Sequence, residues 1–252
     1  ESTPRIRRLR EKICNSGYAV CTQRAQILTE AYQKYESYPV ILKRAMAFRD
    51  VLAKQDIFVV CDDMLAGNQA SFLCAAPVFP EYSVQWILDE MDENEEENGN
   101  KFYIDDEQKR QLRKILPWWV GRTLQDHAHA VYPPEAKLLY EIGVIRGGHM
   151  NACGDGHIVV DYERVLCEGL IGFKRQIAER RATLNLAHYE EARQDIFLQA
   201  ANITIDAVIN FAHRHGILAK QMADQERDPI RKAELERMAQ ACMRVPEYPP
   251  RN

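Results

Sequence analysis

Apolar residues recur three and four positions apart through most of the 252-residue chain, so helices dominate the reading. Ile6, Leu9 and Ile13 make the first helical stripe, which Asn15, Ser16 and Gly17 stop. Thr22 is placed to cap a second helix whose face carries Leu28, Ala31, Tyr32 and Tyr35. Pro39 opens a third, in which Ile41, Ala45, Phe48 and Leu52 share a stripe. The period then changes. Asp56 to Val60 is a short β-type run, followed by turn residues at Asp62-Asp63 and Gly67-Asn68. Ala70 to Pro80 is apolar and irregular, and Glu81 to Met91 resumes a helix.

Asp105 and Asp106 cap a helix that reaches Leu116, and Pro117 ends its periodic part. The chain through Tyr132-Pro133-Pro134 is apolar and broken, and Leu138 to Ile145 fits either a strand or a helix end. Three long helices follow, over Asp161–Leu184, over Tyr189–Gln225 and from Asp228-Pro229 to about Met243. The pattern predicts a mainly α fold with a few short strands. It shows no internal repeat and no clear boundary, so residues 1–252 read as one unit.

Composition narrows the class. The net charge of -4 gives no electrostatic footprint for nucleic acid. No window of about 20 apolar residues offers a membrane span. The basic start, ESTPRIRRLREKI, has no apolar stretch behind it, so no signal peptide is expected and a cytoplasmic setting is. Seven cysteines without a C-x-x-C pair suit reduced thiols, most of them expected as buried small hydrophobes. The acidic run from Asp89 to Asn100 reads as a solvated loop, because consecutive carboxylates repel rather than converge.

Candidate chemistry concentrates in RGGHMNACGDGHIVVDYERV, residues 146–165. A metal reading fails on spacing: His127 and His129, like His213 and His215, are two apart and point to different sides of a helix. A phosphate cradle lacks both G-x-G-x-x-G and G-K-[ST], and there is no G-x-S-x-G elbow. A Cys153–His157 nucleophile pair has no identified orienting group or oxyanion hole. What remains is a glycine-rich loop holding His157 just before a helix that Asp161 caps. A histidine there could move a proton near neutral pH, or simply hydrogen-bond the backbone at a loop–helix junction.

Gly154 to Leu166, GDGHIVVDYERVL, resembles the G-x-G-H-x-x-x-D-Y-x-x-V-L segment of glycyl radical enzymes, and most nearly that of cobalamin-independent glycerol and diol dehydratases. Other stretches agree in order. Arg24-Ala25, with Ile27 and Thr29-Glu30, resembles an early R-A-x-x-x-T-E; Arg44-Ala45 lies in a similar next helix; Asp62 to Asn68 resembles a D-D-E-L-I-V-G-N turn. Pro80-Glu81 with Trp86-Ile87 also fits, as do Asp228 to Leu235, Val245-Pro246 and Pro250-Arg251.

The resemblance covers nearly the whole chain. It implies the N-terminal part of the pyruvate formate-lyase-like α/β barrel, without the thiyl-cysteine loop or the radical glycine, which the family carries further on. The chain itself would hold no cofactor and be inactive alone. The parent would carry a glycyl radical installed by a radical S-adenosylmethionine activase, act on a small hydroxylated substrate, belong to anaerobic metabolism and commonly be a homodimer. His157 would be the catalytic, substrate-facing residue, with Asn68 and Arg146 as further substrate-binding residues and Asp161 as the structural cap. The alternatives are a short helical binding or regulatory module, a formate acetyltransferase-like C–C lyase fragment, or an unrelated helical domain.

Overall fold

A computed structural model describes residues 3–92, 103–145 and 160–251. It is mainly helical. Helix α1 (Pro4–Asn15) starts where Thr3 Oγ1 accepts the Ile6 N–H, and ends before Gly17, whose φ of 64° turns the chain. Strand β1 (Ala19–Cys21) leads into α2 (Gln23–Lys34) and α3 (Val40–Lys54). Strand β2 (Ala75–Pro77) pairs with β1 in parallel, Ala19 opposite Ala75. Then come α4 (Gln85–Glu90), α5 (Asp106–Ile115), a 3-10 turn over Leu116–Trp119, α6 (Leu124–Ala130) and α7 (Pro134–Glu141). Helices α8 (Tyr162–Ala182), α9 (Tyr189–Gln225) and α10 (Pro229–Cys242) complete the described chain.

The main core forms where α2 and α3 meet α5 and the 3-10 turn, with Ala25, Ala47, Leu112, Leu116 and Trp119 essentially excluded from solvent. Helix α9, at 37 residues, is the spine of the fold. At about 1.5 Å per residue it is roughly 55 Å long. It packs along α3 on one side and α10 on another. Small residues allow the close crossing with α10: a Cβ on Gly216 would meet Met243 Cγ at 3.0 Å and the Ala239 oxygen at 3.1 Å. Helix α1 buries nothing and is held by charge instead. Arg5 reaches both oxygens of Glu234 on α10 at 2.6 Å, and Arg8 reaches Asp62 at 2.7 Å.

Several expectations are corrected. The α3 stripe is rotated: Ile41 and Phe48 are 40% and 38% exposed, while Ala45, Met46, Ala47, Asp50 and Val51 are buried. A helix gripped by α2 and α9 at once is covered on two sides, which a one-stripe reading does not anticipate. Asp50 tolerates burial because Tyr35 Oη donates to it at 3.1 Å and Arg49 at 2.8 Å. Asp56 to Val60 forms no ladder, and the strands lie at Ala19–Cys21 and Ala75–Pro77 instead. The helix expected from Glu81 covers only Gln85–Glu90, and the broken apolar stretch before Glu141 contains α6 and α7. Most of the acidic run, residues 93–100, lies outside the described residues.

Helix α8 is broken at Gly169, whose φ of 66° and ψ of 172° only glycine adopts readily. The break frees two amides. Leu170 N–H donates to the Pro246 carbonyl at 2.9 Å, and Ile171 N–H to that of Glu247 at 3.0 Å. The tail runs so close that a Cβ on Gly169 would lie 2.5 Å from the Glu247 oxygen. Among the described residues no helix is long and apolar enough to cross a membrane.

Candidate functional site

The two shoulders of the glycine-rich loop are described. Gly143, at φ 75°, turns the chain out of α7, and the Val144 and Ile145 amides both donate to the Leu139 carbonyl. The chain resumes at Val160. Tyr162 N–H donates to the Val160 carbonyl at 2.8 Å, and Asp161, at the N-cap of α8, accepts the Arg164 N–H at 3.2 Å. Arg146, Cys153 and His157 lie between these shoulders, outside the described residues.

Asn68 sits on the segment joining α3 to β2, and all its polar groups have protein partners. Its Nδ2 donates to the carbonyls of Asp56 at 2.9 Å and Ala70 at 2.6 Å. Those two contacts fix the amide so that Oδ1 faces His215 Nε2, 2.9 Å away. His215 is almost fully buried on α9, and its Nδ1 lies 3.0 Å from the Phe211 carbonyl. Both ring nitrogens face acceptors, so a neutral imidazole, with one N–H, serves Asn68 or the Phe211 carbonyl but not both at once. Burial pushes the imidazole below its ordinary 6.5, against the pull of the Phe211 carbonyl and helped by the Arg214 charge.

The rest of this segment is pinned as tightly. Gln23 Oε1 accepts the Asp56 N–H at 2.9 Å, and Arg231 Nη1 donates to the Asp63 carbonyl at 2.8 Å. Arg231 also pairs with Glu234, whose carboxyl Arg5 holds below the ordinary carboxylate range. The early family-like motif behaves alike. Arg24 clamps both oxygens of Glu81, at 2.5 and 3.0 Å, and Thr29 Oγ1 accepts the Trp119 indole N–H at 2.8 Å. Asn68, Asp63, Arg24, Glu81 and Thr29 are therefore each engaged by other parts of the described fold. They form a scaffold that fixes the segment from 56 to 70 against α9 and α10.

His215 had been read only as half of an H-x-H pair on a helix. Its partner lies 147 positions away, and no local pattern joins them. The other half, His213, faces Glu247 at 3.2 Å. Among the described residues no three His, Cys, Asp or Glu side chains gather as a metal site. The expected burial of most cysteines is corrected: Cys14, Cys61 and Cys167 are exposed and only Cys21 is buried among those described. They fall on outward faces, where a small thiol costs little.

Comparison with known proteins places these features. The family model described as pyruvate formate lyase-like matches residues 2–252. The chain is 38% identical to the probable dehydratase YbiW of Escherichia coli (strain K12), covering 92% of this chain and 28% of that protein. It is 30% identical to the (2S)-3-sulfopropanediol dehydratase of Klebsiella oxytoca, covering 96% of this chain and 30% of that one. The glycerol-bound form of the B12-independent glycerol dehydratase from Clostridium butyricum superposes over 99% of this chain and 32% of its own, with a TM-score of 0.93 and 29% identity. The chain thus spans less than a third of the length of these relatives.

Proposed function

The chain belongs to the pyruvate formate lyase-like family of glycyl radical enzymes, and from that membership we propose that it is the amino-terminal portion of a dehydratase or lyase for a small hydroxylated substrate. The agreement of the whole fold with a glycerol-bound dehydratase supports the reading most directly. A stored glycyl radical and its relay cysteine supply hydrogen-atom abstraction in such an enzyme, and this reading assigns both to the part of the family length not spanned here.

Within this chain, His157 is assigned to the substrate hydroxyls. Its imidazole accepts the proton of one hydroxyl and supplies a proton to the other, which leaves as water. The surrounding glycines let the backbone approach a small substrate closely. Arg146 is assigned as a donor to a substrate oxygen. Asn68, its amide engaged by Asp56, Ala70 and His215, is assigned to holding the segment from 56 to 70 in place, and Asp161 sets the start of α8. The activase, a homodimer and a cytoplasmic setting are part of the same proposal.

The test is anaerobic turnover of glycerol or propane-1,2-diol by a family-length polypeptide carrying this segment, activated by its radical S-adenosylmethionine enzyme. His157→Ala should keep the radical seen by electron paramagnetic resonance and lose about 10²- to 10⁴-fold in turnover. Wild-type turnover in that variant would remove His157 from the chemistry. The 252-residue chain mixed with diol and activase should show none, and any turnover contradicts its assignment as an incomplete portion.

A further inference from the structure

A cleft of about 480 Å³ opens between α2, the first turns of α3 and the segment from Trp118 to His127. None of its lining residues belongs to the segments assigned to the substrate above. Its floor is aromatic. The Tyr32 and Trp119 rings lie 4.9 Å apart, and Trp118 meets Trp119 edge-on at 5.0 Å. Thr29 holds the Trp119 indole by its N–H, so the floor is preorganised.

The rim is cationic. Lys43 Nζ lies 5.3 Å from the Tyr32 ring centre, the Arg122 guanidinium lies 4.8 Å from that of Trp118, and Arg44 stands beside them. Glu81 is the acid in the lining, and Arg24 already occupies both its oxygens. Lys43, Arg44 and Arg122 have no ion pair among the described residues. Burial holds the Tyr32 phenol above its ordinary range, so it adds no negative charge. Val40, the first residue of α3, also lines the cleft, and Pro39 offers no side-chain cap, so the positive end of that helix adds to the same field.

Arg122 Nη1 donates to the Trp118 carbonyl at 2.6 Å, which fixes its guanidinium at the rim, so three cationic side chains stand around an apolar aromatic surface. A neutral ring would leave the cations unanswered, and a bare anion would leave the floor wet. We infer that the cleft binds a small aromatic anion, its ring against Tyr32 and Trp118 and its carboxylate or phosphate held by Lys43, Arg44 and Arg122. The volume falls in the range of ligand pockets, about 300–1,000 Å³.

The test uses the 252-residue chain carrying Trp86→Phe, which leaves the two cleft indoles as the tryptophan signal. Adenosine 5′-monophosphate and 1-naphthoate are titrated separately, with adenosine and inorganic phosphate as controls, and heats of binding are measured in parallel. At least one aromatic anion should bind saturably at about millimolar or lower concentration, and about tenfold or more tighter than either control. The tighter of the two identifies phosphate or carboxylate as the charge recognised. Arg44→Gln with Arg122→Gln, both exposed positions, should weaken it about tenfold or more with an unchanged circular dichroism spectrum. The inference is overturned by no saturable binding of either anion up to about 10 mM, by adenosine binding as well as its monophosphate and 1-naphthoate, or by undiminished affinity in the double variant.

Discussion

Replacing Asn68 by alanine tests the scaffold directly. The substitution removes two N–H donors from the Asp56 and Ala70 carbonyls and strands His215 Nε2 in the interior. The Asp56 carbonyl, on an exposed residue, regains water at about 0.5–1 kcal/mol, whereas Ala70 is only 4% exposed and its carbonyl, left unpaired, costs about 1–2 kcal/mol. The imidazole nitrogen, on a side chain only 2% exposed, regains none. A buried polar atom left unsatisfied costs about 1–3 kcal/mol, and the sum is about 4 kcal/mol. His215→Phe keeps a ring of similar shape without nitrogens and leaves only the half-buried Asn68 oxygen to water, at about 1 kcal/mol. In that background Asn68→Ala strands only the Ala70 carbonyl and should cost about 2–3 kcal/mol. The cycle therefore predicts a coupling of about 1–2 kcal/mol. Urea unfolding at pH 7.5 measures it: with a slope near 3 kcal/mol/M, Asn68→Ala shifts the midpoint down by about 1 M. A cost below about 1 kcal/mol, or additivity within about 0.5 kcal/mol, refutes the argument.

Two further outcomes follow from the same geometry. His215 is held neutral in the folded chain, below its ordinary 6.5, so below that pH the unfolded chain takes up a proton that the folded chain refuses. Stability should be fully present above about 6.5 and fall as the pH drops, by at most about 1.4 kcal/mol per unit. His215→Phe should remove this component of the pH profile, and an unchanged slope in the variant would show that another group carries it. Gly169→Ala combines a left-handed φ with a Cβ 2.5 Å from the Glu247 oxygen, so it should cost about 2–4 kcal/mol. Hydrogen exchange should then speed up at Leu170 and Ile171, and unchanged protection there would mean that the tail does not hold those amides.

The long helices were legible because their ends carry chemical marks: Asp105 with Gln108 makes a reciprocal capping box, and Asp228 accepts the Ile230 N–H ahead of Pro229. The strands were not legible. Ala19–Cys21 and Ala75–Pro77 are three residues each and gain meaning only from pairing across more than 50 positions. Ile57 to Val60 has strand composition but pairs with no strand among the described residues. The α3 face was misjudged because two helices cover it. The turn carrying Asn68 was visible as a family-like motif, yet its dependence on His215 was not, since burial and long-range partners leave no local period. His157 was legible by resemblance, with a physical argument for its chemistry but none that singles it out from hydrogen bonding to the backbone.

The break at Gly169 links distant parts of the chain mechanically. The half-helix from Tyr162 to Glu168 follows directly from Asp161, and its direction relative to the other half of α8 is set at one glycine. That glycine is braced by Pro246 and Glu247, nearly 80 positions later. Tension on the tail and rearrangement at the start of α8 are thus two ends of one lever. By reciprocity, a ligand that reorients Tyr162–Glu168 alters how firmly the tail is seated, and pulling the tail away alters that ligand's affinity by the same factor.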